Sequence, residues 1–461
     1  MFDLKIMNGK TVDFDSNGFI KTNIGIINGK IVEIGDCKEE ANKIIDANNC
    51  IVSSGFVDSH MHEEKIESYQ ENIEFDVSKS MVKMGVTTCV GGNCGINFSG
   101  FDGFKKFKKS IINNGAPVNY LLFAGYTTLR EECGVDNRYK SSTKIEQEMI
   151  YNRFKEYFDE GAIGISFGLE YAPGISMEEV INLTNRIKSE SVLLSAHFRK
   201  DGKDAVQSMK ELIEISKITD LPMRVSHIGS CAAIGYMDES LKVIEEARNN
   251  KIKIDADCYP YDAFSTFIGS AVFDDGWRER LNADYSDITL VEEPFKNMVC
   301  DKELFNKVKM EHPEMMIVAS VMDENEIINA IKSPFMSIAS DGMLNHRQGH
   351  PRAAGTFPRV LGLFVREKGV IDLIDALRKM TLIPAKWLGL KEKGEIKLNY
   401  DADIVIFNPN EIIDQATYLN PTTSPEGIKY VIINGEIAVK NNNLINAKVG
   451  KFIERDDLRN V

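Results

Sequence analysis

The sequence predicts an α/β protein: a central (β/α)8 barrel of the TIM type, beside a small β-sandwich domain that both chain termini build together. Three observations predict it. Short apolar runs alternate with helical segments through the middle of the chain, the pattern of a parallel sheet wrapped by helices. Matching Asn-Gly hairpins stand near the two ends, at Asn28-Gly29 and Asn434-Gly435. Finally, histidines, a cysteine and an aspartate follow the central runs, on the face where barrel enzymes gather their active sites.

The N-terminal strands are Leu4-Lys5-Ile6-Met7 and the two arms around Asn28-Gly29, from Ile24 to Ile34. A type I′ turn needs positive φ at both central positions, which Asn-Gly supplies. The C-terminal hairpin, Val431 to Val439, uses the same device, preceded by a strand at Ala402 to Phe407. Both ends are thus β-rich, and the expected division is 1–54 with 390–461 as one composite small domain, and 55–389 as the barrel.

The first central strand leads into Gly55-Phe56-Val57-Asp58-Ser59-His60-Met61-His62. An extended backbone puts alternate side chains on one side, so His60 and His62 could reach one metal ion. The next strands are expected at Val86 to Val90, Tyr120 to Ala124, Ala162 to Ser166, Val192 to Ala196, Met223 to Ser226, Ile252 to Ala256 and Met336 to Ser340. Between them lie helical segments such as Lys203 to Ile218 and Asp238 to Asn249, and one that opens on a Ser176-x-x-Glu179 capping box. The stretch 267–333 exceeds a single crossover and is expected to be an insertion after strand seven.

Composition bounds the function. The chain has 461 residues, 43% hydrophobic and 27% charged, as in an ordinary globular protein. A net charge of -14 offers no basic footprint for nucleic acid or for an anionic membrane. No apolar run reaches the roughly 18 residues of a span, and Met1-Phe2-Asp3-Leu4-Lys5 lacks a signal-peptide core, so a cytoplasmic location is expected. The eight cysteines form no Cys-x-x-Cys pair, which argues against a disulfide framework and a zinc ribbon.

The candidate ligands sit at strand ends: His60 and His62 after strand one, Cys94 after two, His197 after five, His227 after six, Asp341 after eight. A lone histidine at a strand end is ordinarily a satisfied polar residue, and a lone cysteine is ordinarily core. Agreement among five strand ends is harder to reach by accident. Nitrogen, thiolate and carboxylate donors together suit zinc.

With these residues the chain resembles the metal-dependent amidohydrolase superfamily, and within it the D-aminoacylases, or N-acyl-D-amino-acid deacylases. The matching stretches are Gly55 to His62, Asn93-Cys94-Gly95, Gly168-Leu169-Glu170-Tyr171, Tyr259-Pro260-Tyr261, Ser340-Asp341-Gly342 and His350 to Gly362. The resemblance implies a tight zinc site at Cys94, His197 and His227, with His60, His62 and Asp341 facing a second, weaker position. It implies that Asp341 shuttles the proton, and that Arg352, Tyr259, Tyr171 and Ser265 bind a small N-acyl amino acid. Several positions depart from the pattern: Glu63-Glu64 follow His62 where the family has two aspartates, and the loop before strand two is longer. Gly229 stands where the family has a carboxylate-binding lysine, and Tyr126 where a histidine is expected. The same metal set could also serve a cyclic-amide hydrolase of the dihydroorotase or hydantoinase kind, or a dipeptidase acting on an unusual peptide bond. A non-catalytic barrel is the reading that an intact ligand set disfavours.

Overall fold

The computed structural model describes residues 1–66, 73–188 and 192–458. Its centre is α/β. Parallel strands Phe56–Asp58, Val86–Gly91 and Asn119–Leu122 form one sheet. A second parallel sheet runs from Ala124–Gly125 through Gly164–Gly168, Leu193–His197, Met223–Val225 and Ile254–Cys258 to Met336–Ile338. Every residue of Val86–Gly91 and Gly164–Gly168 is buried. That is why these runs carry no charged residue and do not alternate apolar with charged side chains: neither face meets solvent.

The run expected as one third strand, Tyr120 to Ala124, breaks at Phe123. Its first part pairs with Val86–Gly91 and its second with Gly164–Gly168, so it belongs to both sheets. At the opposite edges Met61 bridges Gly342, and the Asp341 amide donates to the His60 carbonyl at 2.8 Å. Backbone hydrogen bonds therefore tie the strand that carries His60 to the strand that carries Asp341.

Strands from both chain ends share one nine-stranded sheet, in which Ile404–Phe407 pairs antiparallel with Ile51–Ser54. Its apolar face has its own core, including Leu4, Ile26, Val52, Ile404 and Ile432. The two Asn-Gly turns abut. A Cβ on Gly435 would lie 2.7 Å from the Gly29 Cα, and both glycines have positive φ, so neither position tolerates a side chain. From Gly450 the chain leaves this sheet and runs beside Asn119–Leu122, where the Ile453 amide donates to the Tyr120 carbonyl.

Beyond strand seven an antiparallel sheet of Phe264–Phe267, Ile288–Leu290 and Met316–Ala319 rises over the strand ends, together with the short helix Trp277–Leu281. The helices expected from Lys203 and Asp238 are found at Ala205–Thr219 and Met237–Asn249. Ser176 caps Met177–Ile187 as expected, but Glu179 does not reciprocate. Its carboxylate instead accepts from Arg130 Nη1 and from the Tyr126 hydroxyl, both at 2.7 Å. A buried guanidinium outcompetes a backbone amide for it. Among the described residues no helix is long and apolar enough to cross a membrane.

Candidate metal centre

The six strand-end residues become one cluster because loops that carry them leave the sheets in unusual conformations. Cys94, His227 and Asp341 have φ of +53°, +32° and +50°. Left-handed backbone at a residue with a side chain costs roughly 1–3 kcal/mol and persists only where neighbours enforce it. Each is enforced here. Gly95 N donates to Ser166 Oγ at 3.0 Å, His227 N to Asp257 Oδ1 at 2.7 Å, and Asp341 N to the His60 carbonyl at 2.8 Å. The strain turns the three side chains inward.

The ligand atoms of His60, Cys94, His227 and Asp341 all lie within 4.8 Å of one another, and all four residues are buried. Cys94 Sγ is 3.4 Å from both His60 Nε2 and His227 Nε2. His197 Nδ1 lies 3.1 Å from His227 Nε2. Asp341 Oδ1 lies 3.2 Å from His62 Nε2 and 3.5 Å from His60 Nε2. Tetrahedral zinc with bonds of about 2.0 Å to nitrogen and 2.3 Å to sulfur spaces its donors by about 3.3–3.6 Å. The donor set fits that ion in type and in spacing. The resemblance divides the ligands as Cys94, His197 and His227 against His60, His62 and Asp341. In the structure Cys94 lies midway between the two groups.

The far ring nitrogens are tied as well. His60 Nδ1 lies 3.3 Å from Asp257 Oδ2, His227 Nδ1 2.9 Å from Ser230 Oγ, and His197 Nε2 3.1 Å from Glu170 Oε2. Such outer partners fix ring orientation and free the other nitrogen for a cation. His62 Nδ1 is buried without a hydrogen-bond partner among the described residues.

Electrostatics concentrate charge at this spot. Burial alone would push the Cys94 thiol up, but His60 and His227 outweigh it and hold it well below its usual range. Burial likewise opposes ionisation of Asp341, and Arg352, His227 and His62 overcome it, keeping the carboxyl far below ordinary carboxylates. Burial lowers His197, yet Cys94 and Glu170 bring it up to about 9. His62 reaches about 9 for the same reason, with Asp341 and Cys94 outweighing burial. A thiolate and a carboxylate among imidazoles are donors for a divalent cation, whose binding would displace ring protons.

The expected substrate residues border the cluster. Arg352 Nη1 is 2.9 Å from Asp341 Oδ2, its Nη2 donates to the Ser265 carbonyl at 3.3 Å, and its guanidinium lies 4.8 Å over the Tyr259 ring. The Tyr171 ring is 4.3 Å from that of His197. The Tyr259 hydroxyl is buried without a hydrogen-bond partner among the described residues. A cavity of about 380 Å³ lined by His62, Tyr171, Ser265, Asp341 and Arg352 opens from the cluster to the outside.

The departures at Gly229 and Tyr126 can be placed in the structure. A Cβ at Gly229 would lie 2.7 Å from Ile327 Cδ1, 3.2 Å from Met322 Cε and 3.3 Å from Cys258 Sγ, so apolar packing fills the space a longer side chain would need. Tyr126 turns from the cluster into the Glu179 network. Sequence reading missed Asp257, Glu170 and Ser230. The Asp-x-Asp of Asp255 and Asp257 inside an apolar strand was a signal for the first, since a buried strand carries an acid only against a partner.

A profile of the amidohydrolase family matches residues 51–438. The chain is 28% identical to the D-aminoacylase of Alcaligenes xylosoxydans xylosoxydans, over 94% of each chain. It superposes with a TM-score of 0.86 and 28% identity on a solved D-aminoacylase described as having a binuclear metal center, covering 98% of this chain and all of that one. An N-acyl-D-glutamate deacylase from Bordetella bronchiseptica, complexed with zinc and a phosphonate mimic of the tetrahedral intermediate, gives 0.86 at 25% identity, over 98% and 99% of the two chains.

Proposed function

The chain belongs to the amidohydrolase family, and from that membership and its donor cluster we propose a zinc-dependent enzyme that hydrolyses N-acyl-D-amino acids to a carboxylate and a free amino acid. The observation that carries the reading is one buried thiolate within 3.4 Å of two imidazoles, with Asp341 and the mouth of a cavity beside it. In this reading the central strands close as a (β/α)8 barrel over 55–389, with 267–333 inserted. The nine-stranded sheet folds on itself as a small β-sandwich built from 1–54 and 390–461, and the protein is cytoplasmic.

Cys94, His197 and His227 would hold a tight zinc ion, and His60, His62 and Asp341 a second, weaker one. Zinc bound there polarises the amide carbonyl and makes hydroxide accessible near neutral pH. Asp341 Oδ1 faces the cluster and takes the proton of the attacking water as the new C–O bond forms. It then delivers that proton to the nitrogen as the C–N bond breaks, so base becomes acid in one cycle. Arg352 is fixed by Asp341, Ser265 and Tyr259 and turned toward the cavity, where a planar guanidinium can clamp a substrate carboxylate. Tyr259, Tyr171 and Ser265 complete the wall. The test is amine release from a panel of N-acyl-D-, N-acyl-L- and cyclic amides. Turnover confined to linear N-acyl-D-amino acids supports the reading, and faster opening of cyclic amides overturns it.

A further inference from the structure

Glu170 and Arg280 touch neither the cavity's carboxylate clamp nor Asp341, yet they form a buried chain that ends on His197. Glu170 Oε2 is 3.1 Å from His197 Nε2, and Arg280 Nη1 donates to Glu170 Oε1 at 2.6 Å. Arg280 comes from the inserted helix Trp277–Leu281. It cannot turn away, because it also binds Asp201 and the Val272 carbonyl. The side chains of Glu170, Asp201 and His197 are about 5% exposed or less, and that of Arg280 12%.

We propose that Arg280 and Glu170 are positioning residues that fix the tautomer of His197, and that the insertion thereby controls whether this histidine can bind a metal. A guanidinium only donates, so Glu170 must accept from Arg280. An ionised carboxylate only accepts, so it must also accept from His197, which places the imidazole proton on Nε2. In the neutral imidazole that a metal requires, Nδ1 then keeps its lone pair, and it is Nδ1 that lies 3.1 Å from His227 Nε2 inside the cluster. The inference rests on the metal-centre reading of that cluster.

The chain of directions makes an unusual prediction for Glu170→Gln. With Arg280 present, the amide must turn its oxygen to the guanidinium and its NH2 to the imidazole. His197 is then forced to accept at Nε2 and to carry its proton on Nδ1, where it blocks the metal. Removing the second donor in Glu170→Gln/Arg280→Met frees the amide to flip, and Glu170→Ala leaves His197 Nε2 to water. The experiment measures zinc affinity of the full chain by competition with a chromophoric chelator, with circular dichroism as the folding control. Outer-shell losses run to about 10–100-fold in affinity. Glu170→Gln is expected to lose that much, and both Glu170→Ala and the double variant are expected to bind zinc several-fold more tightly than Glu170→Gln. A structural role predicts the reverse order, since Gln is the closer replacement. Affinity in Glu170→Gln equal to or above that of Glu170→Ala overturns the proposal. Should the double variant fail to fold, the Gln against Ala comparison decides it, along with 15N chemical shifts of labelled histidine in the zinc-loaded protein, expected to show Nε2–H at His197 in the wild type. A wild type that binds no zinc overturns the metal-centre reading itself, and the proposal with it.

Discussion

Replacing Arg352 by methionine separates two roles that the structure superimposes. The guanidinium is buried, 2.9 Å from Asp341 and stacked on Tyr259, so its loss leaves Asp341 without its nearest counter-charge whatever substrate is present. That component lowers turnover on every substrate alike. The second component appears only with a substrate that carries a free carboxylate, where one charge-assisted hydrogen bond worth about 1.5–3 kcal/mol is lost. Position 229 is glycine, so no lysine stands there to take over. At about 1.36 kcal/mol per factor of ten, the carboxylate-specific loss is about 10- to 150-fold in kcat/KM. The assay is amine release from an N-acetylated amino acid and from its carboxamide, by wild type and Arg352→Met. The ratio between the two substrates is expected to collapse by that factor. An unchanged ratio, with equal losses on both, would show that Arg352 serves Asp341 alone and would refute the clamp.

Asp341→Asn should keep the fold and lose turnover by several orders of magnitude, because the amide is nearly isosteric but cannot take the proton; near-normal kcat in a steady-state assay would remove Asp341 from the mechanism. Lys393→Met should cost about 3–5 kcal/mol in urea unfolding at pH 7, because Lys393 lies buried between Asp401, at 2.8 Å, and Asp403. The pH dependence follows from the shifts. Burial opposes the Lys393 charge but Asp403 and Asp401 outweigh it, so its pKa is raised, and its contribution is complete below about 10.4 and fades as pH climbs through the raised value. Asp401 is depressed, since Lys393 and Lys30 outweigh its burial, and its contribution is complete above about 3.9 and fades as pH falls. The wild type should therefore exceed the variant most between about pH 4 and 10, and a difference independent of pH across both limits would contradict the pair.

Much of this was legible in the sequence, and the residues explain how far. The strands from Val86 and Gly164 could be read because burial on both faces keeps charged residues out of them. His60, His62, Cys94, His197, His227 and Asp341 could be read because each ends such a run. What escaped were relations that only tertiary packing creates. Asp257 meets His60 across 197 positions of sequence, and Arg280 meets Glu170 across 110. The Ser176-x-x-Glu179 pattern announced a reciprocal cap, but a buried Arg130 draws Glu179 away. The break at Phe123 is invisible as well, because both halves of the run are apolar and only their partners differ.

The central claim is that Cys94 belongs to a zinc centre on which hydrolysis depends. It is tested most directly by measuring zinc content and amine release from an N-acyl-D-amino acid together, in the purified wild type, after chelation, after zinc is restored, and in Cys94→Ala. The account predicts zinc in the wild type, activity lost on chelation and regained with zinc, and both metal and turnover lost in the variant. A Cys94→Ala protein with full zinc occupancy and wild-type turnover would contradict it.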